Sequence, residues 1–95
     1  MKSENFGRQL HLFRQQTFNS QTQKPLTQQQ FGEFLGRDLG DGGFSGAAVS
    51  DWERNKSKID ADHRLVLLSL IKVLKQYGGV KSLIEANVLL ESGNY

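Results

Sequence analysis

Cysteine is absent from this 95-residue chain, so neither a disulfide framework nor a thiolate metal site can hold it together. A reducing, intracellular setting suits such a composition. Proline occurs once, at Pro25, and the apolar runs are short: the one around Val66-Leu67-Leu68 falls far short of the roughly 20 residues that a bilayer crossing needs. The N-terminus lacks the basic-then-apolar layout of a signal peptide. Together these absences predict a soluble, cytoplasmic domain with no membrane partner. An excess of one charge is missing too, since twelve Lys and Arg stand against ten Asp and Glu, and a net +2 says little about a polyanionic partner. The distribution of charge has to decide instead.

Catalytic side chains are equally scarce. His11 and His63 are the only histidines, and no Ser-His-Asp or His-Glu-x-x-His spacing occurs, so a hydrolytic or zinc site is not expected and both histidines read as surface residues. The string Gly40-Asp-Gly-Gly-Phe-Ser-Gly46 lacks the terminal Lys-Ser/Thr of a phosphate-cradling loop and follows no strand. Asp38-Leu-Gly-Asp41-Gly lacks the alternating oxygen ligands of a calcium loop. No enzyme activity, cofactor or metal is therefore expected. Domains commonly run to about 100 to 150 residues, so residues 1–95 should form a single domain around one core.

What is present is helical periodicity. From Glu4 to about Gln16, Phe6, Leu10 and Phe13 recur on one stripe, with Ser3 or Asn5 as N-cap. Thr17 to Pro25 reads as a polar surface loop. Thr27 and Gln30 then have the spacing of a capping box, and a second helix running to Leu35 should bury Phe31, Phe34 and Leu35. Glycines crowd the next stretch, Gly36 to Gly43, which predicts a second loop. Ser45 caps a short third helix, with Val49 and Trp52 on one face and Ala47, Ser50, Asp51 and Arg54 elsewhere, stopping near Asn55. A fourth helix, capped by Asp60 or Asp62, should turn Leu65, Leu68, Ile71 and Val73 or Leu74 inward and end at Gly78-Gly79. A fifth comes next, from about Val80 to Ser92, with Leu83, Ile84, Val88 and Leu89 apolar, and stops at Gly93. No strand pattern competes, and the expected fold class is all-α.

Two segments of this five-helix order, Thr27-Gln28-Gln29-Gln30-Phe31-Gly32-Glu33-Phe34-Leu35-Gly36 and Ser45-Gly46-Ala47-Ala48-Val49-Ser50-Asp51-Trp52-Glu53-Arg54-Asn55-Lys56, resemble the two halves of a helix-turn-helix. The family they are similar to is the Cro/repressor (XRE) group, lambda-repressor-like in fold, whose first half reads Ser/Thr-Gln-x-x-Leu-Ala-x-x-Leu-Gly and second Ser-x-x-x-Ile-Ser-x-Trp/Leu-Glu-x-Gly. Phe31-Gly32 replaces Leu-Ala, and Asn55 replaces Gly. The likeness spans about residues 6 to 92, with a helix-turn-helix core at 27–56. It implies a helix-1 arginine, Arg14, paired with Glu53. Two loops depart from it. Arg37 to Gly43 adds about seven residues to a turn that normally has about three or four, and Thr17 to Lys24 expands the connection before it. Each doubling of loop length costs only about 0.6 kcal/mol, so the fold should tolerate both. Gly78-Gly79-Val80 and the stretch from Glu85 to Tyr95 are similar to the segment directly C-terminal to this module in large bacterial signalling ATPases that carry it at their N-terminus, which implies a fragment of a longer protein with a C-terminal effector domain.

The resemblance implies double-stranded DNA binding by a bacterial or phage transcriptional regulator, nucleoid-associated in the cytoplasm, with the third helix in the major groove. Base edges would be met by Gly46, Ala47, Ser50 and Asp51. None offers the bidentate pairing worth about 1 to 3 kcal/mol, so DNA shape should contribute to specificity. Asp51 has two readings: acceptor from a cytosine amino group, or an ordinary role on the helix surface. Phosphates would be held by Gln28 at the second helix N-terminus, by Arg54, Lys56 and Lys58, and by Arg37 in the inserted loop, although Asp38 and Asp41 flank it. Phe6, Phe13, Phe31, Phe34, Phe44 and Trp52 recur at helical spacing without interleaved cations and read as core, not as a stacking platform for single strands. A homodimer through the fifth-helix region is implied by the family, with half-sites roughly 34 Å apart. The alternative is a helix-turn-helix-fold protein-interaction module of a larger bacterial signalling protein, which near-neutral charge, weak base readers and the acidic insertion favour.

Overall fold

Thr27 and Gln30 exchange the hydrogen bonds their spacing predicts in the computed structural model, which describes residues 2–40, 44–60, 62–93 and 95. The Thr27 hydroxyl accepts from the Gln30 backbone N–H at 3.1 Å, and the Gln30 side chain accepts from the Thr27 N–H at 3.0 Å. Five helices result: α1 Lys2–Gln15, α2 Gln28–Leu39, α3 Gly46–Glu53, α4 Arg64–Gln76 and α5 Leu83–Ser92. Ser45 caps α3 through the Ala48 N–H, and Ser82 caps α5 through the Glu85 N–H. Such caps satisfy donors that the first turn leaves unpaired, each worth about 1 kcal/mol. Thr27→Ala should therefore lower Tm by roughly 4–8 °C in a domain of this size, read by circular dichroism. An unchanged Tm would show that the box adds nothing to the fold.

No sheet forms among the described residues, and none of their helices is long and apolar enough to cross a membrane. Helix α1 packs on α5 and α3, while α2 packs on α3 and α4. Phe6, Leu10 and Phe13 from α1 meet Phe31 and Leu35 from α2, Val49 and Trp52 from α3, and Leu70, Leu74 and Leu89 from α4 and α5. Burial of about 25 cal/mol per Å² of apolar surface drives this assembly, since no disulfide assists it.

Several boundaries differ from the sequence expectations. Helix α1 starts at Lys2, so neither Ser3 nor Asn5 stands ahead of it as N-cap. Helix α2 does not stop at Leu35. It runs through Gly36, which is buried within it, to Leu39, and Gly40 ends it with φ 79° and an N–H donated to the Gly36 carbonyl. A glycine inside a helix costs about 1 kcal/mol, and the added turn is tied to α4 through the Asp38–Lys72 pair. Much of the supposed insertion is thus an extra helical turn; Asp41, Gly42 and Gly43 lie outside the described residues.

Helix α4 buries Val73 and Leu74 as expected and packs Ile71 against the core, but its first two turns present another face. Leu67, Leu70, Val73 and Leu74 point inward with Ser69, Ile71 is half-buried, and Leu65 and Leu68 are exposed. Neither Asp60 nor Asp62 caps it; His63 holds that position and makes no side-chain cap. Apolar residues fill nearly every position from Leu65 to Ile71, so two phases satisfied the periodicity and only contact with α2 selected one. Helix α5 begins three residues later than expected, with Val80 buried in the connection, and only Leu89 of its four expected apolar residues is buried, alongside Ala86. The loop after α1 is not wholly superficial. Buried Thr17 donates to the Arg14 carbonyl and accepts from the Leu26 N–H, and Asn19 pairs with Lys24 as an isolated bridge.

Candidate nucleic-acid interface

The first turns of α2 and α3 lie against each other. A Cβ on Gly46 would stand 3.2 Å from the Gln29 backbone nitrogen, and one on Gly32 would stand 2.1 Å from the Phe44 carbonyl oxygen. These two glycines let the segment entering α3 come back onto α2 after its extra turn. Phe44 then meets Trp52 edge-on with ring centroids 4.9 Å apart, which anchors the inner face of α3. Two capped helix N-termini, each with partial positive charge, are brought together by this packing.

On α3, Val49, Trp52 and Glu53 are buried and Ala47 is exposed, with Gly46, Ser50 and Asp51 half-exposed beside it. Those four small or acidic residues are the ones expected to meet bases. Asp51 has local partners: its carbonyl accepts from the Lys56 N–H at 2.8 Å, and its carboxylate lies 3.9 Å from the Arg54 guanidinium. Arg54, Lys56 and Lys58 are exposed on the turn after α3. Asn55 gives that turn its left-handed step, at φ 59°, and accepts from the Gly7 N–H at 3.2 Å, tying it to α1. Lys58 leans toward the C-terminus, its Nζ 5.8 Å from the Tyr95 ring, and borders a cleft of about 180 Å³ with Phe44, Trp52, Ile59, His63 and Val66.

Arg14 and Glu53 form the expected pair, and it is buried. Arg14 Nε and Nη2 donate to Glu53 Oε2 and Oε1 at 2.5 and 3.0 Å, and Nη1 donates to the Leu26 carbonyl at 2.8 Å. The same Oε1 takes His11 Nδ1 at 2.8 Å and the Gln28 amide at 3.0 Å. Burial pushes the Glu53 carboxyl up, but hydrogen bonds from Arg14, His11 and Gln28 outweigh it and leave the group below its ordinary value. Gln28 is half-exposed and held by one amide hydrogen, so its second N–H is available for an acceptor outside. Sequence reasoning did not find His11 here, although its place one turn before Arg14 on the same helix face was a usable signal.

Arg37 stands apart from the others. It lies on α2, nine residues beyond Gln28 and so roughly 14 Å along the helix, with its guanidinium 5.0 Å from the Phe34 ring centroid. Phe34 in turn stacks on Tyr77. Next to it Asp38 pairs with Lys72 at 3.0 Å. Asp38 thus fastens the extra turn of α2 to α4, and Arg37 packs on Phe34 of its own helix instead of hanging in a loop. Among the described residues no three His, Cys, Asp or Glu side chains converge in a way that could hold a metal ion. Set against known proteins, the chain matches no family model, no curated protein sequence and no solved structure.

Proposed function

We propose that this domain binds double-stranded DNA as a transcriptional regulator, with α3 in the major groove. The observation that carries the reading is the meeting of the α2 and α3 N-termini at Gln29 and Gly46, next to exposed Ala47 and followed by exposed Arg54, Lys56 and Lys58. Helix N-termini attract phosphates through free N–H groups and the helix dipole, and a second N–H on Gln28 adds a donor at the same edge. An α-helix with its side chains is about 10–12 Å across, which a major groove about 12 Å wide admits. Small side chains at Gly46, Ala47 and Ser50 permit close approach, and specificity then comes largely from DNA shape. Arg54, Lys56 and Lys58 hold phosphates, whereas Arg37 is left out of the interface. The reading includes cytoplasmic location, no catalytic step and a homodimer on paired half-sites.

An amide-resolved NMR titration with a random-sequence duplex at about 50 and 200 mM salt tests it, since phosphate binding weakens steeply over that range. Shifts at Gln28, Gly46, Ala47, Arg54 and Lys56 that fade at the higher salt are expected. Amides that stay still at both salts in a folded sample would overturn it. The second reading, a protein-interaction module of a larger signalling protein, is favoured by the exposed Leu65, Leu68, Leu83, Ile84 and Val88. Alanine at Arg54 and Lys56 separates the two, abolishing DNA binding in the first case and leaving partner binding intact in the second.

A further inference from the structure

Arg37 is left out of the proposed DNA interface, yet it borders a cleft of about 280 Å³ between the C-terminal ends of α2 and α4. The cleft exists because α2 runs on past Gly36 and carries Arg37 and Asp38 alongside α4. Its apolar walls are buried Val73 and the half-buried rings of Phe34 and Tyr77, which stack with centroids 5.1 Å apart and planes 10° from parallel. Asp38 and Gln76, both exposed, add oxygen acceptors to the lining. Aromatic walls with a few converging polar groups are the usual makings of a small-molecule site. A cavity of about 150 Å³ holds one benzene ring, so this cleft of about 280 Å³ has room for two fused rings.

Charge narrows what fits. Lys72 neutralises Asp38, and among the described residues no carboxylate forms an ion pair with Arg37. The C-terminal ends of α2 and α4 each contribute about half a negative charge. Together with Asp38 they are outnumbered by Arg37, Lys72 and Lys75, which leaves an excess of about one positive charge and suits a monoanion. Arg37 lies over the Phe34 ring, 5.0 Å from its centroid. A guanidinium held by its face keeps its N–H edge for an acceptor, and that planar fork matches a carboxylate with two parallel hydrogen bonds. We propose that the cleft binds a small aromatic carboxylate of about two fused rings, its carboxylate on Arg37 and its rings against Phe34, Val73 and Tyr77. Asp38 or Gln76 takes a ring N–H where the ligand has one. The site lies at the other end of α2 from Gln28, so it neither needs the DNA-binding reading nor falls with it.

Amide-resolved NMR titration of the chain with indole-3-carboxylate, up to about 10 mM and without DNA, tests it. Saturable shifts are expected at Phe34, Arg37, Gln76 and Tyr77, with a Kd of about 0.1–2 mM for a ligand of about twelve non-hydrogen atoms. Indole-3-carboxamide keeps the rings and loses the charge, and should bind at least about tenfold more weakly. Acetate keeps the charge and loses the rings, and should leave those amides still. Arg37→Gln should weaken binding of the carboxylate at least about tenfold. Gln76→Trp, which fills the cleft from an exposed position, should abolish it, with circular dichroism unchanged in both variants. Shifts that grow linearly over the whole range overturn the proposal. So does an Arg37→Gln variant that binds like the parent, or a carboxamide that binds like the carboxylate, since either would leave Arg37 without a part in recognition.

Discussion

Glu53→Gln is expected to cost about 3–5 kcal/mol of unfolding free energy in urea at neutral pH, because it strands the buried Arg14 guanidinium without its counter-charge. Domains are commonly stable by only about 5–15 kcal/mol, so this variant should sit near its folding threshold. Arg14→Met should cost a similar amount, and Arg14→Met with Glu53→Met much less than the sum, since both charges then leave together. Additive losses would show that the pair is not a coupled unit. The linkage to pH has a definite sign. Glu53 is held below its ordinary value of 4.5, so the folded state binds fewer protons than the unfolded one between the two values. Its contribution is complete above about 4.5 and is lost as pH falls through the depressed folded value. The stability gap between parent and Glu53→Gln should therefore be widest near neutral pH and close on the acid side. Gln28 provides a second readout, because the Glu53 carboxylate fixes its amide at the α2 N-terminus. Its side-chain NH₂ resonances should move in the variant.

Gly32→Ala should destabilise the domain by about 1–3 kcal/mol, against helix propensity, which by itself favours alanine by up to about 1 kcal/mol. The added methyl would lie 2.1 Å from the Phe44 carbonyl oxygen and 2.9 Å from its carbon, and backbone is a neighbour that cannot swing aside. Alanine for glycine looks conservative in sequence and is not so in this packing. Relief of the clash has to push Phe44 and Ser45 away from α2, which tilts α3 relative to the α2 N-terminus. Denaturant unfolding gives the energetic cost, and amide shifts confined to residues 44–49 give the tilt. A variant as stable as the parent would mean that the α2–α3 approach is looser than the structure has it.

Local signals proved most legible where a few neighbouring residues decide the outcome. The Thr27 and Gln30 box, the Ser45 cap, the left-handed Asn55 and the Phe6, Leu10, Phe13 stripe were all readable because each depends on spacings within one or two turns. The outer face of α3 followed from the burial of Val49 and Trp52 alone. Along Leu65 to Ile71 of α4 Ser69 is the one polar residue, and it turned out to be buried, so periodicity had no exposed polar position there to set its phase.

By itself, then, the sequence determined that five helices form, where α2 and α3 start and which small residues line α3, because caps and short apolar periods are local physics. Tertiary structure alone decided that α2 extends to Leu39, that Asp38 fastens it to α4, and that Gln28 and His11 converge with Arg14 on one Glu53 oxygen. It also decided which leucines of α4 and α5 stay exposed. Those outcomes depend on partners distant in the chain, and the energy of burying a side chain is settled only by what packs against it.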